Sequence, residues 1–318
     1  MVTSKEKSIW EKFYNVMFNT GNLVFSEYCK KGIKFNSVDK LNKDWSIADK
    51  SSVYVLPLSN NLSPDDTYFT RMLYRLARYN LNIVPIGLGV QADLNETPKD
   101  YIKKIPGRKK RLFQMMASNT TSIGVRGAFT AECMELIGIK NVKVIGCPSY
   151  YSKFLRNENE EITNESLKIC SNWDLNSLTS TVDVDDYKEE QVIQTVPEYS
   201  RYRSNKEQKK NIFFSIEEWS EWISKNNFKY AIGDRFHGNM ICYLNDVKTI
   251  WVIKDRRIAE LVDALKLPAV EKLNSSCKID EIFQNYKECN TKYDEVILKN
   301  YVNFLNENGV SHKLDMEG

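Results

Sequence analysis

Short β-branched or apolar runs alternate with longer helical patterns along most of this 318-residue chain, and that alternation limits its folds more than any other feature. Parallel strands cannot be joined by a tight hairpin, so strand–helix–strand order calls for parallel sheets with crossover helices. Residues 53–56, 83–86, 122–125 and 142–145 read as strands. Between them, 65–79 carries an apolar stripe at Phe69, Met72, Leu73, Leu76 and Ala77, and 128–137 predicts a helix closed by Gly138. The second half repeats the pattern less regularly. Strands are expected at 192–195, 212–214, 230–232 and 247–253, with helices at 236–244 and 258–265. Ser215 and Glu218 form a capping-box pattern opening a helix through Trp219, Trp222 and Ile223. The polar run at 157–161 is the expected linker. The expected domains are therefore 1–158 and 159–275, followed by a helical tail at 276–318.

The hydrophobic fraction of 42%, with 12% aromatic residues, is enough to build cores and argues against a disordered chain. A net charge of +3 is too balanced to suggest nucleic acid as a partner. The start lacks the apolar stretch of a secretion signal, and the longest nearly apolar run, 83–90, is too short to cross a bilayer. Seven cysteines form no CxxC pair, which reads as reduced thiols rather than a disulfide framework or a zinc site. The expectation is a cytoplasmic chain.

Only two histidines are present, and His312 lies near the C-terminus, so imidazole chemistry rests on His237 in Asp234-Arg235-Phe236-His237-Gly238. Arg235 is a permanent cation suited to phosphate or carboxylate, and a strand followed by a turn and a helix start is where open α/β sheets place ligands. A buried histidine satisfying a turn is the structural alternative. Arg126, directly after a strand and before Gly127, occupies a similar edge, as do Arg256 and Arg257, with Glu260 near enough to pair with either. Gly87-Leu88-Gly89-Val90-Gln91 follows a strand but lacks the third glycine of GxGxxG, so Gly89 and Gln91 mark a ligand loop or a tight turn. Gly21 and Asn22 leave the same two readings open. No HExxH, GxSxG or clustered metal set is present, and Asp183, Asp185 and Asp186 read as a solvated loop. Trp219 and Trp222 have core spacing, although with Tyr150 and Tyr151 they could stack on a sugar.

Three stretches together resemble the polysaccharide pyruvyl transferase family: Asn19-Thr20-Gly21-Asn22-Leu23-Val24-Phe25, Ser122-Ile123-Gly124-Val125-Arg126, and Asp234-Arg235-Phe236-His237-Gly238. The last is similar to the family's Arg-x-His-Gly signature and is the most specific. The resemblance implies an α/β fold of two Rossmann-like domains facing a cleft, GT-B-like, with the acceptor on the first domain and the donor on the second. It implies transfer of a pyruvyl group from phosphoenolpyruvate, the donor substrate, to sugar hydroxyls in exopolysaccharide or capsule biosynthesis, with no cofactor required and metal dependence left open. His237 takes the catalytic position; Arg235, Phe236, Gly238, Arg126, Gly21, Asn22, Gly89 and Gln91 take substrate-binding ones. The sequence departs from the family pattern at Gly127 and Ala128 after the middle arginine, and at Cys147-Pro148 where Asp-Pro is usual. The acceptor's carrier is left open between lipid, nucleotide and polymer. A lipid carrier would bring the chain to the inner membrane face, where Arg108, Lys109, Lys110 and Arg111 could serve electrostatically, although a solvated helix or loop face is the plainer reading of that stretch. A nucleotide-sugar glycosyltransferase of the same architecture and a non-catalytic carbohydrate-binding protein are the rival readings.

Overall fold

The computed structural model describes residues 8–34, 52–64, 70, 71, 74, 78, 79, 81–155, 168–172, 186–204, 210–271, 273, 278–284, 286 and 291–314. Most of the expected helix at 65–79 lies outside the described residues. So do the linker at 157–161, Asp183, Asp185, Lys206, Lys209, Cys277 and Cys289. The chain forms two compact units, interleaved in sequence. One comprises Met1–Tyr28, Arg156–Lys254 and Leu267–Glu288; the other comprises Cys29–Leu155, Asp255–Lys266 and Cys289–Gly318.

The first unit is built on six parallel strands: β5 (Lys168–Asn172), β6 (Lys188–Ile193), β7 (Lys210–Ile212), β8 (Tyr230–Gly233), β9 (Lys248–Val252) and β10 (Ala269–Val270). Their order across the sheet is β10-β9-β8-β5-β6-β7. Counted from β5, this is the doubly wound Rossmann arrangement, in which the chain winds outward in both directions from its first strand. The reversal point is the β5–β8 pair, in register from Ile169↔Tyr230 to Asn172↔Gly233. All four residues of β8 are buried, as expected for a parallel strand covered on both faces. One face packs Ile169, Ile232, Ile250 and Val252 against Ile279 and Phe283 of a short helix, Ile279–Gln284.

Helices that follow β6, β7 and β8 start at the sheet's carboxyl edge. Helix α1 (Ile9–Asn15) begins with a complete Ser8–Glu11 capping box. Helix α2 (Gly21–Gly32) opens on the resemblance's first motif. Helix α6 (Val196–Ser204) follows β6, α7 (Ile216–Asn226) follows β7, and α8 (Phe236–Tyr243) follows β8. Ser215 caps α7 through the Glu218 N–H at 3.3 Å, but its hydroxyl bonds the carboxylate of Glu217 rather than completing a box with Glu218. The strand expected at 212–214 occupies Lys210–Ile212 instead, because Phe214 turns to pack on Phe13 of α1.

The second unit pairs β1 (Val53–Pro57) with β2 (Asn82–Ile86), and β3 (Ile123–Val125) with β4 (Val142–Val144), all parallel. A bridge from Leu88 to Val125 joins the two pairs. Helices α3 (Pro98–Lys104), α4 (Gly107–Ser118) and α5 (Ala128–Leu136) cover them around a core that includes Leu88, Tyr101, Phe113, Val125 and Met134. Gly138 ends the α5 turn with φ +84°, a backbone that favours glycine. Helix α9 (Arg256–Leu265) and the closing helix, Thr291–Glu307, belong to this unit as well.

Gly233 holds the reversal point together by having no side chain. A Cβ there would run into the Asn172 carbonyl, 2.5 Å from its carbon. Backbone cannot yield as a side-chain tip does, so Gly233→Ala should destabilise the first unit by about 3 kcal/mol or more in urea titration. A change below about 1 kcal/mol would show that β5 and β8 can separate freely.

Candidate active site

Four loops of the first unit meet where the sheet order reverses. Asn172 ends β5, Gln194 and Thr195 follow β6, Asp234 and Arg235 follow β8, and Asn19 to Gly21 lead into α2. The backbone ties them together: Thr20 N–H donates to Gln194 O at 2.8 Å, and Arg235 N–H donates to Asn172 O at 3.0 Å. Asn19 forms an antiparallel bridge with Thr195. This is the crevice in which open parallel sheets hold ligands.

Arg235 is fixed by Glu198. Its Nε donates to Glu198 Oε1 at 2.8 Å, its Nη2 donates to the same oxygen, and Nη2 also reaches Thr195 Oγ1 at 3.2 Å. The other carboxylate oxygen accepts the N–H groups of Gln194 at 2.6 Å and Thr195 at 3.1 Å. Thr195-Val196-Pro197-Glu198 is thus half a capping box: the glutamate bonds back to the helix start while the threonine hydroxyl turns to the guanidinium. Burial pushes the Glu198 carboxyl above its usual range, with Arg235 and the two amides pulling the other way. Sequence reading missed Glu198, although Thr-x-x-Glu after a strand was a readable signal.

His237 sits in the first turn of α8, partly exposed, its ring 5.9 Å from Phe25 and 5.3 Å from Phe236 between ring centroids. Phe236 points into the core, 4% exposed, facing Trp251 at 5.9 Å. A Cβ on Gly21 would lie 3.3 Å from His237 Cβ, so the first and last motifs of the resemblance are in contact. The space that Gly238 leaves is filled by the Asn172 and Gln194 carboxamides, with Asn172 Oδ1 2.5 Å from where a Cβ would stand. Asn22 uses its side-chain amide on Val16 O at 3.0 Å, bracing a turn in which Met17 and Phe18 hold φ of 52° and 62°.

Arg126, Gly89 and Gln91 belong to the other unit. Arg126 is 2% exposed, its Nη1 donating to Asn60 Oδ1 at 2.8 Å, and its stem crosses Gly89, where a Cβ would come within 2.6 Å of Arg126 Cδ. Gly87, at φ +77°, makes the tight turn before it. Gln91 is exposed, and its N–H donates to the Tyr101 hydroxyl at 3.1 Å. Arg256 stacks over Phe129 at 5.4 Å, and Arg257 pairs with Asp255 at 3.0 Å. Glu260 pairs with neither. No group of three or more His, Cys, Asp or Glu among the described residues could hold a metal ion, and no helix among them is long and apolar enough to cross a membrane.

A family model, polysaccharide pyruvyl transferase, matches residues 8–255 of the chain. The chain belongs to the polysaccharide pyruvyl transferase family. It is a transferase, as the three motifs implied. A search of curated proteins returns no match. Among solved structures, a Listeria monocytogenes protein assigned as a UDP-N-acetylglucosamine 2-epimerase is similar at 8% identity and a TM-score of 0.41. The alignment covers 99% of this chain and 78% of that one. A likeness that weak carries no argument about chemistry.

In this pyruvyl transferase family member, the start of α5 already holds an anion of its own. Glu260 accepts from Thr130 N at 3.0 Å and from Thr130 Oγ1 at 2.8 Å. Gly127 makes room, since a Cβ there would meet Glu260 Cβ and lie 2.9 Å from its carbonyl oxygen. Burial pushes the Glu260 carboxyl up from 4.5 to about 7, against the pull of Thr130 and Arg126. A raised carboxyl binds its proton more tightly in the folded state, so its contribution to stability falls as pH climbs from about 4.5 to 7 and is level above that. Across that window the loss is about 3 kcal/mol. Urea titrations at pH 5 and 7.5 should show it, and Glu260→Gln should remove that component. An unchanged pH dependence in the variant would mean that Glu260 ionises as freely folded as unfolded.

Proposed function

We propose that this transferase moves a pyruvyl group from phosphoenolpyruvate to two hydroxyls of a sugar, forming a ketal and releasing phosphate. The observation that carries the reading is Arg235, clamped by Glu198 and Thr195 beside His237 at the reversal point of the first unit's sheet. Phosphoenolpyruvate carries a phosphate and a carboxylate, both of which suit a guanidinium whose plane is already fixed. The balance is simple. The methylene carbon gains a proton, and C2 becomes electrophilic. One sugar hydroxyl adds to C2 and gives up its proton. The C2–O bond to phosphate breaks, and the second hydroxyl closes the ketal with loss of its proton. His237 is the general acid and base in these transfers, and Arg235 binds the donor. The acceptor is a glycan precursor of a cell-surface polysaccharide, and a lipid-carried one would bring the chain to the membrane face.

Two measurements test this. In a thermal-shift titration, phosphoenolpyruvate should raise the melting temperature of the wild type by mass action and fail to do so for Arg235→Ala. A shift with UDP or GDP and none with phosphoenolpyruvate would replace the reading with a nucleotide-sugar transferase. Against a sugar acceptor, His237→Ala should lower turnover by roughly 10²–10⁴-fold, the range of a positioned acid or base. Undiminished turnover would remove His237 from the chemistry.

A further inference from the structure

The first turn of α8 begins without a side-chain cap: Arg235, at the N-cap position, makes no capping hydrogen bond to the amides that follow it. A helix start of this kind favours negative charge. Gln194 points into it. The residue is 2% exposed, with Oε1 3.1 Å from where a Cβ of Gly21 would stand and Nε2 inside contact distance of the same position at Gly238. One carboxamide therefore lies between two helix starts, in the room that two glycines leave.

The orientation of that carboxamide follows from its neighbours. Asn239 Nδ2 donates to Gly233 O at 2.8 Å and Ile250 O at 3.3 Å, so Asn239 Oδ1 is an acceptor and takes Asn172 Nδ2 at 3.0 Å. Asn172 Oδ1 is then left facing Gly238, which favours the amino end of Gln194 on the same side. Neither Gln194 Nε2 nor Thr20 Oγ1 has a hydrogen-bond partner, and Thr20 is 0% exposed. Buried polar groups are nearly always bonded, so two unspent groups beside an uncapped helix start need a reason. Glu198 is fully engaged by Arg235 and two amides; Asn172 Oδ1, also without a partner, is a neutral acceptor, whereas an incoming anion would bring the charge that the helix start favours.

We propose that Gln194, with Thr20 beside it, is a further ligand-contacting residue of this site, its Nε2 donating to the phosphate or carboxylate of the bound donor. The inference rests on the donor reading above. Every group it uses belongs to the first unit.

Calorimetric titration of the full chain with phosphoenolpyruvate and with inorganic phosphate tests it, on wild type, Gln194→Met, Gln194→Glu and Thr20→Val. Methionine keeps the length and removes the donor; glutamate keeps the shape and faces the anion with a charge. The expected result is phosphoenolpyruvate affinity weakened about 10- to 100-fold in Gln194→Met, the worth of a hydrogen bond to a charged group, and further in Gln194→Glu. Thr20→Val carries the test if a Gln194 variant melts too early to titrate, with a smaller loss expected. Wild-type affinity in all folded variants would make Gln194 a packing residue and overturn the inference alone. Phosphate binding that depends on Gln194, with no binding of phosphoenolpyruvate, would support the anion site and overturn the donor reading. Binding of neither probe to wild type would overturn both.

Discussion

The contact between β5 and β8 is the constraint from which the rest of the first unit follows. These strands are adjacent because the chain winds outward from β5 in one direction and returns to wind the other way. At their carboxyl ends the connecting loops must diverge, and a crevice opens without any residue having been chosen to make it. Gly233 lets the strands close fully at that point, and the Arg235 N–H on Asn172 O locks the departure of the β8 loop. The catalytic candidates then occupy the first positions after the strands, where backbone direction is dictated by the sheet.

Glu198 links that geometry to chemistry. Its carboxylate ties the backbone after β6 to the guanidinium after β8, so the position of Arg235 is set by two strands rather than by its own flexible side chain. An arginine held in plane loses little freedom when an anion arrives, which is what preorganised recognition requires. The arrangement also places a buried carboxyl beside the guanidinium, and Arg235 together with the two main-chain N–H groups makes that tolerable.

Much of this was legible in the sequence because it depends on local patterns. The βαβ alternation located β1 to β4, β8, β9, α5 and α8 within a few residues, and the Arg-Phe-His-Gly element marked the crevice. Strand β5 was not legible: Lys168-Ile169-Cys170-Ser171-Asn172 is short and ends in polar residues, and it is a strand because β6 and β8 flank it. The roles of Asn172 and Gln194 were hidden for the same reason, since each is defined by contact with Gly238, far away in sequence. Phe236 was grouped with the ligand residues by its place in the motif, yet on a helix start the side chain between Arg235 and His237 faces the sheet, and it packs on Trp251. The interleaving of the units was equally out of reach, because no periodicity reports which core a helix will join.

The starts of α5 and α8 differ in what their own unit supplies to them: α8 has no side-chain cap. The start of α5 receives the Glu260 carboxyl from within the same unit, and its electrostatic complement is completed when the chain folds. Such a terminus is indifferent to solution: no metabolite has to arrive for it to be satisfied, and none gains by arriving. Its carboxyl has become part of the architecture, held in place as a packed side chain is. The start of α5 is thereby closed to outside partners, because a carboxyl of the same unit already occupies it.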